Sequence, residues 1–241
     1  MIADFRLALS FLTRWPVSLP ETLPEGAMAR CLWAFPLIGA LIGSIVGGTY
    51  LLACLIWPPI PSVLIALTAG LLFTGALHED GLADCADGFG GGRDKDGVLA
   101  IMRDSRIGVY AALALILSVL IRGSTIAQVF NPAGALIIAH TLSRTALPIV
   151  MTLLPPASSS GVASSIGRPP LWACILAVFL GLPVLLFAPG HATLCLVMAL
   201  ISGGALVLLA RKRIGGYSGD VLGALQQIVE ISVLLALLIR L

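Results

Sequence analysis

Residues Phe35 to Trp57 run for 23 positions without a charged side chain. A helix rises about 1.5 Å per residue, so such a run can cross the roughly 30 Å hydrocarbon core of a bilayer. Further apolar runs follow, and charged residues make up 11% of the chain, against about 25% in ordinary soluble domains. Mean hydropathy is +1.05. Residues 1–241 therefore read as one polytopic, all-α, membrane-embedded domain. A transmembrane β-barrel is disfavoured, because its strands alternate apolar and polar residues over about ten positions, and helices are the remaining way to satisfy the backbone in lipid.

A window of about 19 residues predicts seven spanning helices, at 35–57, 62–78, 108–129, 132–154, 171–188, 192–210 and 221–240. Gly39, Gly43 and Gly47 recur at four-residue spacing in the first and clear one face for a neighbouring helix. Residues 1–34 carry Arg6 and Arg14 around a short apolar stretch without a small-residue cleavage site. They read as an amphipathic segment on the membrane surface rather than a secretory signal. With the N-terminus cytoplasmic, segments 1–34, 79–107, 155–170 and 211–220 share one side and hold eleven Lys and Arg residues, against Arg240 alone opposite. That asymmetry follows the positive-inside rule and places the long 79–107 loop in the cytoplasm. The net charge of +2 and the scattered basic residues do not suggest a nucleic-acid surface. The cysteines, Cys31, Cys54, Cys85, Cys174 and Cys195, form no CxxC pair and read as packing residues. Ser158 to Ser165 reads as a flexible loop.

Seven of the twelve acidic residues, Glu79, Asp80, Asp84, Asp87, Asp94, Asp96 and Asp104, fall between positions 79 and 104. If the second span continues as a helix, a turn of about 100° per residue puts Asp80, Asp84 and Asp87 within roughly 60° of arc. Three carboxylates on one stripe repel one another unless a cation sits among them, and all-oxygen ligands select a hard ion such as Mg2+. Glu79 falls outside the arc and is a weaker ligand candidate. Gly88 and Gly90 to Gly92 then form a glycine-rich hinge that could bring backbone amides to a phosphate, with Arg93 beside it. Arg103 and Arg106, three residues apart with Asp104 between them, are read as sharing a helix face that matches phosphate oxygens. Acids for a metal beside bases for phosphate point to phosphoryl or pyrophosphoryl chemistry.

Later spans carry further polar residues. His140 and Arg144 lie four apart on one helical face and are candidates for substrate contact, because charges in lipid usually face a cavity or a partner. Arg122 reads as structural. Asp220 and Gln227 share a face of the last span and are read as an active-site wall, with Asp220 as an N-cap the alternative. Glu230, deeper in the bilayer, needs a buried partner or a proton.

Several separated motifs match one family: Phe11-Leu12-Thr13-Arg14-Trp15-Pro16-Val17, Phe35-Pro36-Leu37-Ile38-Gly39, His78 through Gly88, Met102 through Gly108, and Gly215-Gly216-Tyr217-Ser218-Gly219-Asp220 through Gly223. The chain resembles the cobalamin synthases, the adenosylcobinamide-GDP ribazoletransferases, essentially from end to end. The resemblance implies a Mg2+-dependent, multi-pass enzyme of the bacterial inner membrane with its active site facing the cytoplasm. It would join adenosylcobinamide-GDP to α-ribazole or its 5′-phosphate and release GMP, as a homo-oligomer or in association with other enzymes of nucleotide-loop assembly. On that reading Asp80, Asp84 and Asp87 hold the metal, Asp84 is the base, and Arg103 and Arg106 bind phosphate. Ser218 stands where Thr is expected, and loop 155–170 lacks the expected polar pattern, leaving Arg168 alone as a candidate contact.

Three alternatives remain at this point. A CDP-alcohol phosphotransferase would carry Arg where Asp84 follows Ala83. An aspartate-rich prenyltransferase would carry a second acidic motif, for which Asp220 is a thin substitute. A divalent-cation transporter would place acids near mid-bilayer and show broken helices and paired repeats.

Overall fold

Gly39, Gly43 and Gly47 bring two long helices into backbone contact at the centre of the molecule. In the computed structural model, which describes residues 1–20, 22–159 and 161–239, α3 (Phe35–Ala53) packs along α8 (Pro132–Leu153). A Cβ on Gly43 would lie 2.6 Å from Ile137 Cα, and one on Gly47 would lie 3.0 Å from Ala133 Cα. The small-residue face predicted from spacing is thus the face that meets α8.

Before α3 come α1 (Ile2–Leu12), which turns Leu7, Ala8 and Leu12 inward, and α2 (Ala27–Cys31). A 3-10 turn at Leu32–Ala34 joins α2 to α3, so the first apolar helix runs Ala27–Ala53 rather than starting at Phe35. The expected interfacial segment 1–34 is therefore only partly peripheral.

The expected span at 62–78 is broken. Helix α4 (Pro59–Thr74) ends where Gly75 and Ala76 both take left-handed backbone, at φ +68° and +56°, a conformation that stops a helix and that only glycine enters freely. Helix α5 (Leu77–Gly91) restarts at 91° to α4. The acid stripe lies on this separate helix rather than on an extension of the second span. What the sequence suggested as a long loop at 79–107 is α5, a turn, and α6 (Lys95–Met102), with Asp94 capping α6 by accepting from Gly97 N–H at 2.8 Å.

The chain continues through α7 (Val109–Ile126), α8, the short α9 (Val162–Ile166), α10 (Leu171–Gly181), α11 (Ala192–Ile214) and α12 (Gly219–Leu238). Among the described residues, five helices are long and apolar enough to cross a membrane, or six if the bent α4–α5 pair counts as one, where seven were expected. The other shortfall lies at 171–188, where α10 gives way to a 3-10 turn at Leu182–Phe187 that contains Pro183, a residue with no N–H for the helical ladder. Helix α12 runs through the interior against α5, α7, α8 and α11. The Ser-rich stretch expected to be flexible holds α9. It is tied in by a parallel bridge of Pro156 with Tyr217, in which Ala157 N–H donates to the Tyr217 carbonyl at 2.8 Å. All five cysteines are free thiols; four are buried, as packing residues should be, and Cys54 is exposed. Ser160, inside that stretch, and Arg240, the expected lone charge of the opposite side, lie outside the described residues.

Candidate active site

Helix α5 turns its acid stripe toward a cleft of about 670 Å3 that also receives the segment between α6 and α7. Asp80, Asp84 and Asp87 line it together with Arg103, Asp104 and Arg106. The floor beneath is tight. Helices α5 and α12 cross at Gly81 and Gly223, where a Cβ on either would meet the other's backbone at 3.0–3.1 Å.

The three aspartates are not equivalent. Asp87 Oδ2 accepts from Gly108 N–H at 2.6 Å and its Oδ1 from Ala111 N–H at 3.0 Å. Both oxygens are therefore spent on the first turn of α7, where free amides and the helix dipole favour a carboxylate. Asp84 is half-buried. Burial, followed by Asp220, Asp80 and Asp87, pushes its carboxyl up to about 6. Negative charge is concentrated at Asp84 by the three carboxylates around it. Glu79 sits at the inner edge of the cleft and gives its Oε1 to Arg122 and Gln227 among the helices.

Arg103 and Arg106 do not share a helix face, because α6 ends at Met102 and residues 103–108 form a turn. Arg106 folds back onto Asp104 with Nη2 to Oδ2 at 2.6 Å, and this pairing holds the Asp104 carboxyl down at about 2. Arg103 instead crosses the cleft and donates to Ser158 Oγ at 3.4 Å. Sequence reasoning missed a third guanidinium. Arg14 lies over Gly75 at the α4–α5 break and lines the same cleft, and its only signal was its place in the Phe11–Val17 motif.

Several expected contacts are structural here. The glycine run is not a phosphate hinge but helix packing: a Cβ on Gly88 would strike Met102, and one on Gly90 would strike Tyr110. Arg213 closes the C-terminal end of α5 by donating to the carbonyls of Phe89, at 3.1 Å, and Gly92. Arg93 is exposed and lies outside the residues that line the cleft. Arg168 donates to the Thr152 carbonyl near the end of α8, at 2.7 and 3.1 Å. Ser218, not Asp220, caps α12, which leaves the Asp220 carboxylate to line two cavities beside the cleft.

His140, Arg144 and Gln227, expected to face substrate, are buried among the spans instead. Glu230 Oε2 lies 3.0 Å from His140 Nδ1 and 3.5 Å from Arg144 Nη1, while its Oε1 accepts from Arg122 at 3.3 Å. Arg122 also donates to Glu79 at 3.2 Å, Gln227 donates to Glu79 at 3.0 Å, and Ser118 donates to Gln227 at 3.2 Å. Two carboxylates thus balance two guanidiniums across α5, α7, α8 and α12, which is how buried charges are tolerated in lipid. The partner that Glu230 requires is this network, and Arg122 is structural, as its sequence context suggested.

A hard divalent cation fits the remaining acids. Asp80 and Asp84 offer oxygen donors within the cleft and Asp220 offers one beside it, and Mg2+ is usually held by one or two carboxylates plus substrate phosphates and water. Among the described residues, no three His, Cys, Asp or Glu side chains converge as a ready-made metal cage. Asp80 and Asp84 are the groups that would hold the ion, with phosphate oxygens completing its shell. Asp87 and Glu79 are committed elsewhere.

Comparison with known proteins gives one consistent answer. The sequence model of the family described as cobalamin-5-phosphate synthase matches residues 4–238. A protein of Bradyrhizobium diazoefficiens is 44% identical over 98% of this chain and 93% of its own length. Another, of Mesorhizobium japonicum, is 42% identical over 98% and 92%, and one of Azorhizobium caulinodans is 39% identical over 99% and 96%. All three are named adenosylcobinamide-GDP ribazoletransferase. No solved structure matches this chain.

Proposed function

Because the chain belongs to the cobalamin-5-phosphate synthase family and is a transferase of cobalamin biosynthesis, we propose that it joins adenosylcobinamide-GDP to α-ribazole or its 5′-phosphate in the cleft of Asp80, Asp84 and Arg103. The observation that carries this reading is the meeting of an acid stripe and three arginines, Arg14, Arg103 and Arg106, in one cleft. A diphosphate needs both, since arginines bind its oxygens directly while carboxylates reach it through a cation. The basic residues Arg14, Arg103 and Arg106 around the cleft, with Arg93 and Lys95 nearby in sequence, support a cleft that faces the cytoplasm from the bacterial inner membrane.

The transfer is a displacement at phosphorus. A ribazole hydroxyl oxygen bonds to the phosphorus that carries the corrinoid, the P–O bond bridging to GMP breaks, and GMP leaves with the bonding electrons. A product made from the 5′-phosphate keeps that phosphate, so the attacking hydroxyl is on the secondary edge of the ribose. Asp84 receives the hydroxyl proton as the general base. Mg2+ bound at Asp80 and Asp84 would neutralise diphosphate charge. Arg103 and Arg14 hold phosphate oxygens, and Arg106 joins them by exchanging Asp104 for phosphate.

Substrate competition tests the assignment. Purified protein offered adenosylcobinamide-GDP with α-ribazole should give GMP and adenosylcobalamin in equal amounts by mass spectrometry, and a chelator should stop both. Offered a CDP-alcohol or a prenyl diphosphate with an acceptor alcohol, it should give no product. Consumption of either alternative in place of the corrinoid would overturn the reading.

A further inference from the structure

The cleft continues into a second space of opposite character. A slot of about 230 Å3 shares Asp80 and Leu77 with the cleft and runs under α1, between α8, α9 and α12. Its walls are apolar, with Phe11, Phe35, Leu147, Met151 and Ile166 among them. Its polar side chains are His78, Asp80 and Asp220. The rings of Phe11 and Phe35 stack on each other, 19° apart with centroids at 6.1 Å, and give the slot an aromatic side. Beside the Asp220 end a third cavity of about 210 Å3 begins, sharing Ala163, Gly219 and Asp220 with the slot and Arg103 with the cleft. Tyr217 lines it, and its buried hydroxyl has no hydrogen-bond partner among the described residues.

We propose that this slot is the acceptor subsite and takes the benzimidazole ring of ribazole, with the ribose at the Asp80–Asp220 end. The inference rests on the ribazoletransferase reading and says where one of its substrates binds. Size and polarity select the occupant. A slot below the roughly 300–1,000 Å3 of drug-sized pockets admits one small ring system and not a corrinoid. A guanine ring carries donors and acceptors along its edges, and burying them against Phe, Leu, Met and Ile would leave them unpaired. A dimethylbenzimidazole presents a flat apolar body that packs against aromatic and aliphatic side chains. A phospholipid tail fits the walls but would bring its anionic headgroup to two carboxylates. Asp220 accepts from ribose hydroxyls and Tyr217 donates to them, which directs the secondary edge of the sugar toward Arg103 and the cleft.

Gly219 supplies the test, because it lines the slot and a Cβ there meets nothing within 4 Å. In Gly219→Leu the added side chain fills open space where the slot meets the third cavity and narrows the ribose end of the slot. Steady-state kinetics with both substrates and equilibrium dialysis of labelled α-ribazole against detergent-purified protein give two readouts, one independent of turnover. The KM and the dialysis Kd for ribazole should each rise about tenfold or more, the scale of a steric change in an apolar pocket, while the KM for adenosylcobinamide-GDP stays within about twofold. A second arm needs no mutation. The wild-type protein should bind the riboside of unsubstituted benzimidazole more weakly than ribazole, and a purine riboside more weakly still. Unchanged ribazole binding in Gly219→Leu, a selective rise in the KM for adenosylcobinamide-GDP, or equal affinity for the purine riboside would each overturn the slot assignment. Failure of the wild-type protein to release GMP would instead overturn the ribazoletransferase reading, and the dialysis would still decide whether ribazole occupies the slot.

Discussion

Asp87 and Asp84 sit three residues apart on one helix, and their surroundings give them different work. Asp87 offers both oxygens to the amides that open α7, so Asp87→Ala should lower thermal stability by about 1–2 kcal/mol, the usual cost of a lost helix cap. Asp87→Asn, which keeps one acceptor oxygen, should fall between. Mg2+ affinity should change little in either, as calorimetry would show. Asp84 faces acids and no cap. Its proton comes on near pH 6, because burial and the neighbouring carboxylates disfavour its charge. Apparent Mg2+ affinity should therefore be level above about pH 6 and fall by up to about tenfold per pH unit below it, as the metal competes with a proton. Calorimetric titrations in buffers of different ionisation enthalpy would detect the released proton, and its absence at pH 5.5 would show that Asp84 does not hold the ion.

At the scale of elements, the α3–α8 contact is the most exacting. At Gly43 the nearest neighbours of an added Cβ are backbone atoms of α8, which cannot step aside, whereas at Gly48 the same addition meets open space. Gly43→Leu should lose the folded, monodisperse protein on size-exclusion chromatography, and Gly48→Leu should keep it and gain up to about 1 kcal/mol in helix propensity. The glycine spacing that makes this contact was legible in the sequence, as was the acid stripe, since periodicity reports which residues share a face; the face assigned to Arg103 and Arg106 was not there, because the helix stops at Met102. The break at Gly75 and Ala76 was not legible: the apolar run continues across it, and hydropathy does not register a left-handed backbone. Composition also misled at Gly88 to Gly92, because glycines that admit Met102 and Tyr110 look the same in sequence as glycines that admit phosphate. His140, Arg144 and Gln227 were legible as buried polar groups needing partners. Which partners they have depends on how α5, α7, α8 and α12 meet, and a single helix's periodicity does not carry that information.

For the whole molecule, the central question is where its charge lies relative to the membrane. The arginine-rich side carries the cleft, and the α7–α8 connection, with Phe130 fully exposed, lies at the other end of the spans. On a Cys54→Ser background, a membrane-impermeant maleimide should label Phe130→Cys in intact spheroplasts and Ser105→Cys only in inverted vesicles. The opposite pattern would reverse the orientation. Within that frame the account depends on one claim, that the acid cleft of α5 is where the diphosphate is cleaved. The most direct measurement is single-turnover GMP release by wild-type protein and by Asp84→Asn, each shown to be folded by its elution profile and melting curve. The account predicts that the variant loses at least about a hundredfold in rate, the scale expected for a general base, while still binding adenosylcobinamide-GDP. A folded Asp84→Asn protein that releases GMP at the wild-type rate would contradict it.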